Sequence, residues 1–287
     1  MKFFKTRFAW AVYVLGAALV FLYVLFPSEL LKEYLANRIH QAAPNLTVEI
    51  GRLKLGFPPA LRLYEVSVYH SGWAIADLEN LKISPNIVSL FLETTQVSFQ
   101  GNGYGGHFKG DMDIIKKTDD REMVIDADLS GIQVDRLEAL QAITTHRLSG
   151  ILEGTLTVTN QMTRQALTGD LVLTDGKIEL SPPLLDQKEL TFDSIEAQLM
   201  FNGRSLTIEH CELIGNQLDG EVAGSIMFSN HSSSKILNLE GNVRPHAEFV
   251  ARLGNQVPKL LENNSWQTQG VAFNIKGPME SPTYTFY

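Results

Sequence analysis

Residues 46–69 read LTVEIGRLKLGFPPALRLYEVSVY, and their apolar residues fall on every second position before slipping by one. The phase set by residues 46–50 changes at residues 53–57, the spacing of two resumes in that second phase at residues 61–63, and the phase slips again at residues 66–68. Because successive side chains of a β-strand point to opposite faces, a period of two predicts strands with one apolar face. The stretch therefore predicts a β protein.

Each slip of phase predicts a turn or a bulge, so this stretch is expected to form several short strands. Glycine permits unusual backbone angles, and proline removes a donor from the hydrogen-bond ladder. The expected interruptions are Gly51, Pro58–Pro59 and Tyr64–Glu65.

Alternation continues almost to the end of the chain, with hairpins predicted at Asp175–Gly176 and Asn202–Gly203. The predicted fold class is thus mainly β, a largely antiparallel meander. Three short helices are expected between strands, as lids or end caps: one over 86–92, opened by Ser84–Pro85, and two over 134–141 and 246–254.

The N-terminus predicts a membrane anchor. Residues 8–26 contain 19 residues without a charge, enough helix for about 28 Å, close to the thickness of a bilayer's hydrocarbon core. The apolar anchor residues are Phe8, Trp10, Val14, Leu15, Leu19, Phe21, Leu22 and Phe26, and the basic flank is Lys2, Lys5 and Arg7. This flank predicts a cytoplasmic N-terminus with the rest of the chain across the membrane. A cleaved signal peptide is the alternative, although no small-x-small site follows the run.

Helical spacing follows the anchor. The apolar residues at helical intervals are Leu30, Leu31, Tyr34, Leu35 and Ile39, bounded by Pro27 and Pro44. This helix is expected to dock on the first strands, or to lie on the membrane surface. The predicted organisation is a cytoplasmic tip and anchor over 1–26, an amphipathic helix over 27–43, and one periplasmic β domain over 44–287.

Charge and cysteine content exclude several classes of protein. The net charge is −8, and without the three basic residues of the flank the remaining chain carries about −11, which argues against a nucleic-acid partner. Cys211 is the one cysteine in the sequence, so no intramolecular disulfide can form.

No motif in the sequence indicates a reaction or a cofactor. GNGYGG (101–106) matches a nucleotide-binding pattern, but HFKGDMDIIKK follows it with strand-like alternation where a helix would be needed, so we expect a glycine-rich turn. The acidic residues between Asp111 and Asp128 lack the spacing of a calcium loop. The seven histidines form no H-x-x-H pair, and His107, His210 and His246 are expected to be structural. We therefore predict no catalytic or metal-binding residues and no cofactor; an enzyme is the remote alternative.

The predicted features follow one another in a particular order: an anchor, an amphipathic helix, VEIGRLKLGFPPALRLYEVSV (48–68), a Ser-Pro turn, VSF (97–99), a GxxYGGxFxG pattern, and the closing IKGPMESPTYTF (275–286). This order resembles the AsmA-like group of bacterial envelope proteins. Within that group the chain is most similar to the protein N family of the type II secretion apparatus of Gram-negative bacteria.

This resemblance implies a single-pass inner-membrane protein whose periplasmic sheet is curved into a groove. The protein would act as a structural or accessory component of type II protein secretion or envelope assembly. Membrane lipid and other secretion or envelope proteins are the implied partners. The alternative function is a lipid-binding or lipid-transfer module with acyl chains in an apolar β groove. A second structural possibility is a sheet that folds over on itself and closes its apolar face into a core. The candidate lining residues are Leu53, Leu55, Val97, Phe99, Leu171, Leu173, Leu199, Phe201, Phe273 and Ile275.

Overall fold

The computed structural model describes most of the chain. The described residues are 10, 13–14, 17, 27–56, 60–70, 73–116, 121–143, 146–161, 164–184, 187–228, 235–253, 266–279 and 281–287. Contacts between residues divide the chain into two compact units, residues 1–84 and 85–287. The boundary falls inside the range 44–287 that the sequence predicts as one domain.

The first unit joins one helix to three antiparallel strands. The elements are α1 (Ser28–Ala42), β1 (Leu46–Gly56), β2 (Ala60–His70) and β3 (Trp73–Pro85). Each strand pairs with the next along the chain. Helix α1 begins directly after Pro27, as predicted, but Leu30 and Tyr34 of its predicted apolar residues are exposed.

The slips of phase in this unit lie inside continuous strands. Ile50 pairs with Val66 and Arg52 with Tyr64, so the register of β1 on β2 is the same on both sides of the slip. Glu65 has a positive φ of 57° between them. The prediction of several short strands was wrong, because residues 46–69 form two strands. The apolar pattern changes phase at the same level in both strands, so their pairing register is kept. Pro58–Pro59 and Phe57 lie outside the described residues.

The joint slip keeps the alternating apolar side chains of β1 and β2 on one face. Leu53, Leu63 and Val66 are buried together, and Leu31 and Leu35 of α1 pack against them. The helix is held further by Lys32, whose Nζ donates to the carbonyl oxygen of Gly51 over 2.9 Å. The core of the first unit therefore consists of one face of three strands covered by α1.

The second unit contains eleven strands among its described residues. They are β4 (Thr94–Gly103), β5 (Gly106–Lys116), β6 (Arg121–Gln133), β7 (Arg147–Gln161), β8 (Arg164–Leu184), β9 (Gln187–Phe201), β10 (Ser205–Gly215), β11 (Leu218–Phe228), β12 (Lys235–Pro245), β13 (Val271–Pro278) and β14 (Thr283–Phe286). Every strand from β4 to β14 is antiparallel to its neighbour in the sequence. A mainly β, antiparallel meander is confirmed.

Two of the predicted turns are present. Tyr104 and Gly105 link β4 to β5 with positive φ angles of 55° and 77°, as a two-residue hairpin of type I′ requires. The glycine-rich segment is therefore a turn, as predicted. At Asn202, the side-chain oxygen accepts hydrogen bonds from the N–H groups of Arg204 and Ser205, and Phe201 pairs with Leu206 across the predicted hairpin.

The hairpin predicted at Asp175–Gly176 is wrong. Both residues lie inside β8, where Asp175 has a φ of 51° and the pairing with β7 shifts between Ser149 and Ile151. An Asp-Gly pair supplies a positive φ, which serves a bulge as well as a turn. The shift of register at Asp175 is therefore a bulge within β8, which is 21 residues long.

Short helices occupy the three predicted places. They are a 3-10 turn at Val88–Phe91, a 3-10 turn at Val134–Arg136 followed by α2 (Glu138–Ile143), and α3 (Ala247–Leu253); α4 (Trp266–Gln269) was not predicted. The predicted start at Ser84–Pro85 is wrong, because both residues belong to β3. Asn86 caps the first turn instead, through its side-chain oxygen.

Most of the predicted anchor lies outside the described residues. Trp10 and Val14 are helical and exposed. The anchor and flank residues that are not described are Lys2, Lys5, Arg7, Phe8, Leu15, Leu19, Phe21, Leu22 and Phe26. Among the described residues, no helix combines the length and the apolar character needed to cross a membrane.

We predict that Leu63→Ala loosens the first unit. Leu63 is buried in its core, and truncation of a buried leucine costs about 2–5 kcal/mol. Hydrogen exchange followed by mass spectrometry should show faster exchange of the β1–β3 amides. The control is Ile75→Ala on β3, whose exposed side chain should leave exchange nearly unchanged. Equal exchange in both variants would contradict this core.

Candidate functional site

The second unit carries an apolar face formed by four rows that cross its strands. Residues paired across neighbouring strands lie on the same face. The first row is Val97, Met112, Ile125, Val158, Leu167, Phe201, Leu206, Ile226, Leu237 and Gly277. The second row is Phe99, Gly110, Ala127, Leu156, Gly169, Leu199, Ile208, Gly224, Leu239, Ile275 and Tyr284.

Two further rows continue the pattern towards the other end of the strands. The third is Gly101, Phe108, Leu129, Gly154, Leu171, Ala197, Cys211, Val222, Gly241, Phe273 and Phe286. The fourth is Ile132, Leu152, Leu173, Ile195, Leu213, Gly220, Val243 and Val271. None of these paired residues carries a charge, and the hydroxyl of Tyr284 and the thiol of Cys211 are the polar groups among their side chains.

Glycines in these rows make room for large neighbours. A Cβ at Gly110 would lie 2.6 Å from the ring of Phe99, and one at Gly241 would lie 2.7 Å from the ring of Phe273. Both distances are far below van der Waals contact, so the aromatic ring occupies the space that a side chain would need. The rings of Phe99 and Phe273 consequently lie over the glycine of the neighbouring strand.

The opposite face of the same strands is polar. Ser98 Oγ donates to the carboxylate of Asp111 over 2.6 Å, and Thr157 Oγ1 donates to that of Asp126 over 2.7 Å. Lys109 pairs with Asp128 over 3.4 Å. These side chains are exposed apart from half-buried Thr157, so water covers this face and the apolar rows must be covered by something else.

Most residues of the rows are half-buried, among them Phe99, Leu171, Leu199 and Phe273. The exceptions include Tyr284 and Phe286 of β14, which are exposed. Deep burial in this unit occurs at a few positions, which include Ile132, Val134, Phe192, Leu237, Phe249, Trp266 and Val271. Val134, Phe249 and Trp266 belong to the short helical segments beside the strands.

The candidate lining residues separate into two groups. Leu53 and Leu55 belong to the first unit, where Leu53 is part of the core beneath α1. The structure places Val97, Phe99, Leu171, Leu173, Leu199, Phe201, Phe273 and Ile275 in the four rows. The glycines of the rows were missed as members of this face, although Gly101 and Gly110 share the alternation of the apolar residues beside them.

A polar pocket of about 300 Å³ lies over the ends of β10–β12, beside Leu213 and Gly220 of the fourth row. Its lining includes Glu212, Asp219, Glu221 and Arg244. The carboxylate of Asp219 accepts hydrogen bonds from the N–H of Gly215 over 3.2 Å and from His246 Nε2 over 3.0 Å. Desolvation raises the pKa of Asp219, but the His246 hydrogen bond, the Gly215 N–H and the nearby charges outweigh this effect and hold that pKa below its ordinary value.

The Asp219–His246 pair ties the β10–β11 turn to the start of α3, which is a structural role for His246. His107 and His210 lie in β5 and β10 and are exposed. Burial raises the pKa of the Cys211 thiol, so the reactive thiolate is disfavoured. Among the described residues, no group of three or more His, Cys, Asp or Glu side chains is arranged to hold a metal ion.

No protein-family model, curated protein or solved structure matches this chain.

We predict that Gly110→Ala destabilises the second unit. The new methyl group would overlap the carbonyl oxygen of Asp126 and the ring of Phe99, and such overpacking costs about 1–3 kcal/mol. Hydrogen exchange of the β4–β6 amides measures the loss. Gly176→Ala is the matched control, because its Cβ would meet neighbours at an ordinary 3.4 Å or more. If both alanines are tolerated, the close packing of Phe99 is refuted.

We predict that Asp219→Asn removes a pH-dependent contribution to stability. Because the folded-state pKa of Asp219 lies below the ordinary 3.8, its carboxylate stabilises the fold above that pH and loses the effect as the pH falls through the folded-state pKa. The side chain is 41% exposed, so the contribution is under about 1 kcal/mol.

Thermal unfolding of both proteins between about pH 6 and pH 3 measures this effect. The wild-type protein should be more stable near pH 6, and the two melting temperatures should converge as the pH falls. A difference that grows on acidification would have the wrong sign for this pair.

Proposed function

We propose that the chain is an AsmA-like envelope protein that holds acyl chains on the apolar face of its second unit. The observation that supports this function is the set of four rows, which continue strand after strand without a charged side chain. At about 6.8 Å between rows and about 4.8 Å between strands, such a face measures roughly 20 Å by 50 Å.

The uniformity of the rows favours hydrocarbon over a protein partner. A separate protein that binds another typically forms about ten hydrogen bonds across the interface besides its apolar contacts. The side chains of the rows offer only the Tyr284 hydroxyl and the Cys211 thiol for such bonds. An acyl chain has no polar group along its length and can lie at any position on the face, so the rows satisfy all that it requires.

Burial energy supports occupancy of this face. Removing apolar surface from water yields roughly 25 cal/mol per Å², and each half-buried residue in the rows retains some of that surface. The polar opposite face stays in water, as the exposed Ser98–Asp111 and Thr157–Asp126 hydrogen bonds require. One sheet can thereby present hydrocarbon on one side and water on the other.

The position proposed for the protein is the bacterial inner membrane, with residues 8–26 as the single anchor, a cytoplasmic N-terminus and the bulk of the chain in the periplasm. The uncharged run and the basic residues before it support this orientation. Lipid could then pass between the anchoring bilayer and the apolar face.

A second candidate is a structural or accessory component of the type II secretion apparatus, with other proteins of that apparatus as partners. The order of features along the sequence favours it, from the anchor through residues 48–68 to the closing residues 275–286. The two functions are compatible, because a lipid-holding sheet can also serve in the assembly of an envelope machine.

We predict that Leu199→Gln weakens lipid binding several-fold, because it places an amide in the second row. The full chain, purified in detergent, is incubated with a phospholipid that carries a photoactivatable diazirine on its acyl chain. After illumination, cross-linked peptides are mapped by mass spectrometry. Cross-links should concentrate on residues of the four rows.

Met200→Gln is the matched control. Met200 neighbours Leu199 in β9 but pairs with Thr168 and Thr207 on the polar face. It should cross-link lipid as the wild-type protein does. Cross-links spread equally over both faces, or none in this unit, would refute the proposed function.

The secretion role has a separate test. Deletion of the gene in its host, followed by measurement of the proteins exported to the medium, should show reduced secretion through the type II apparatus. Fully intact secretion would reject the second candidate and leave acyl-chain binding unaffected.

A further inference from the structure

An exposed apolar loop precedes β4. Residues 86–93 read NIVSLFLE and contain the 3-10 turn Val88–Phe91. Phe91 is 86% exposed, and the other four large apolar side chains are between 47% and 70% exposed: Ile87, Val88, Leu90 and Leu92. Five large apolar side chains in six residues thus face solvent. A contiguous exposed apolar patch of this kind is typical of an interaction site.

The conformation of this loop is fixed from within. Ser89 is buried to 1% exposure. Its hydroxyl donates to the carbonyl oxygen of Asn86 over 2.6 Å and accepts from the N–H of Gln96 over 2.9 Å. The Asn86 N–H also donates to the Gln96 carbonyl oxygen over 2.9 Å. These bonds fasten the loop to β4 through two polar residues, while the apolar residues stay free for a partner.

We propose that the apolar loop inserts into the surface of a lipid bilayer. Four of its backbone N–H groups, those of residues 88, 89, 90 and 92, already have partners inside the loop, which lowers the cost of placing them in a low-dielectric environment. The side-chain oxygen of Asn86 accepts the N–H groups of Val88 and Ser89, at 3.1 and 3.4 Å. The N–H of Leu90 bonds to Ile87 over 3.3 Å, and that of Leu92 bonds to Ser89 over 3.0 Å.

The arrangement of the side chains favours a bilayer over a protein pocket. Five apolar residues from one short turn and its ends project around it, so a protein would have to enclose the turn from several sides. A bilayer needs no complementary shape, because lipids rearrange around an apolar insertion.

The charge of the loop defines the kind of membrane contact. Residues 86–93 contain no lysine or arginine, and Glu93 is their one ionisable residue. Insertion therefore depends on burial of apolar surface and not on attraction to anionic headgroups. We expect the loop to insert into zwitterionic phosphatidylcholine and to gain nothing from added phosphatidylglycerol.

The loop runs directly into β4, which carries Val97 and Phe99, the first residues of two apolar rows. A bilayer contact here would place the start of the rows beside lipid. The inference does not depend on acyl-chain binding, because a docking loop could serve a protein with any function at the membrane.

The test uses the full chain, reconstituted in liposomes, with Cys211→Ala and a fluorophore attached at Val88→Cys. Quenching by lipids that carry nitroxide on their acyl chains is compared with quenching by aqueous iodide. The control label is at Asn102→Cys, an exposed position in β4 beside the turn to β5. We expect lipid quenching at position 88 to exceed that at position 102 several-fold, both in phosphatidylcholine liposomes and in liposomes with added phosphatidylglycerol.

A second protein adds Phe91→Asp and Leu92→Asp to the labelled chain. Lipid quenching at position 88 should fall to the control value and iodide quenching should rise, while circular dichroism stays unchanged because Asn86 and Ser89 still hold the loop. Iodide quenching at position 88 equal to that at position 102 would overturn the proposal. Protection from both quenchers would also overturn it, because a protein surface would then cover the loop. Acyl-chain binding is tested separately, by comparing lipid cross-links in Leu199→Gln and the wild-type protein. A loop that fails to insert would therefore leave that result unchanged.

Discussion

The structure depends on one constraint: apolar side chains must remain on a single face of each sheet while the strands twist and bulge. A slip of one residue in a single strand would send its apolar side chains to the polar side. In the first unit, neighbouring strands slip at the same level, so the register between Ile50 and Val66 continues beyond Glu65. In the second unit, the bulge at Asp175 allows Leu173 and Ile178 to share one face.

The sequence was sufficient to predict the fold class, because alternation reports directly which residues share a face of a strand. It predicted the hairpin at Asn202–Gly203 correctly and the one at Asp175–Gly176 incorrectly. Both dipeptides favour a positive φ, and nothing in either shows whether the chain reverses or continues. The difference lies in the neighbouring strands, since β7 supplies partners on both sides of Asp175.

The candidate site was predictable in part for the same physical reason. Residues such as Leu199 and Phe201 were identified from their alternation, but their alignment into rows depends on registers that no single strand contains. Glycines such as Gly110 belong to the rows because a large ring from the next strand occupies their space. The exposure of Phe91 was not predictable, because an apolar run in a sequence resembles a buried helix until its packing is known.

The pairing of each strand with its neighbour in the sequence also has a kinetic consequence. In the second unit, contacts between strands join residues that are close along the chain, and short loop closures cost little entropy. Such a sheet can be extended by one strand at a time from either end, without waiting for distant segments to meet. A chain with this topology can fold progressively while the rest of it is still being synthesised or moved across a membrane.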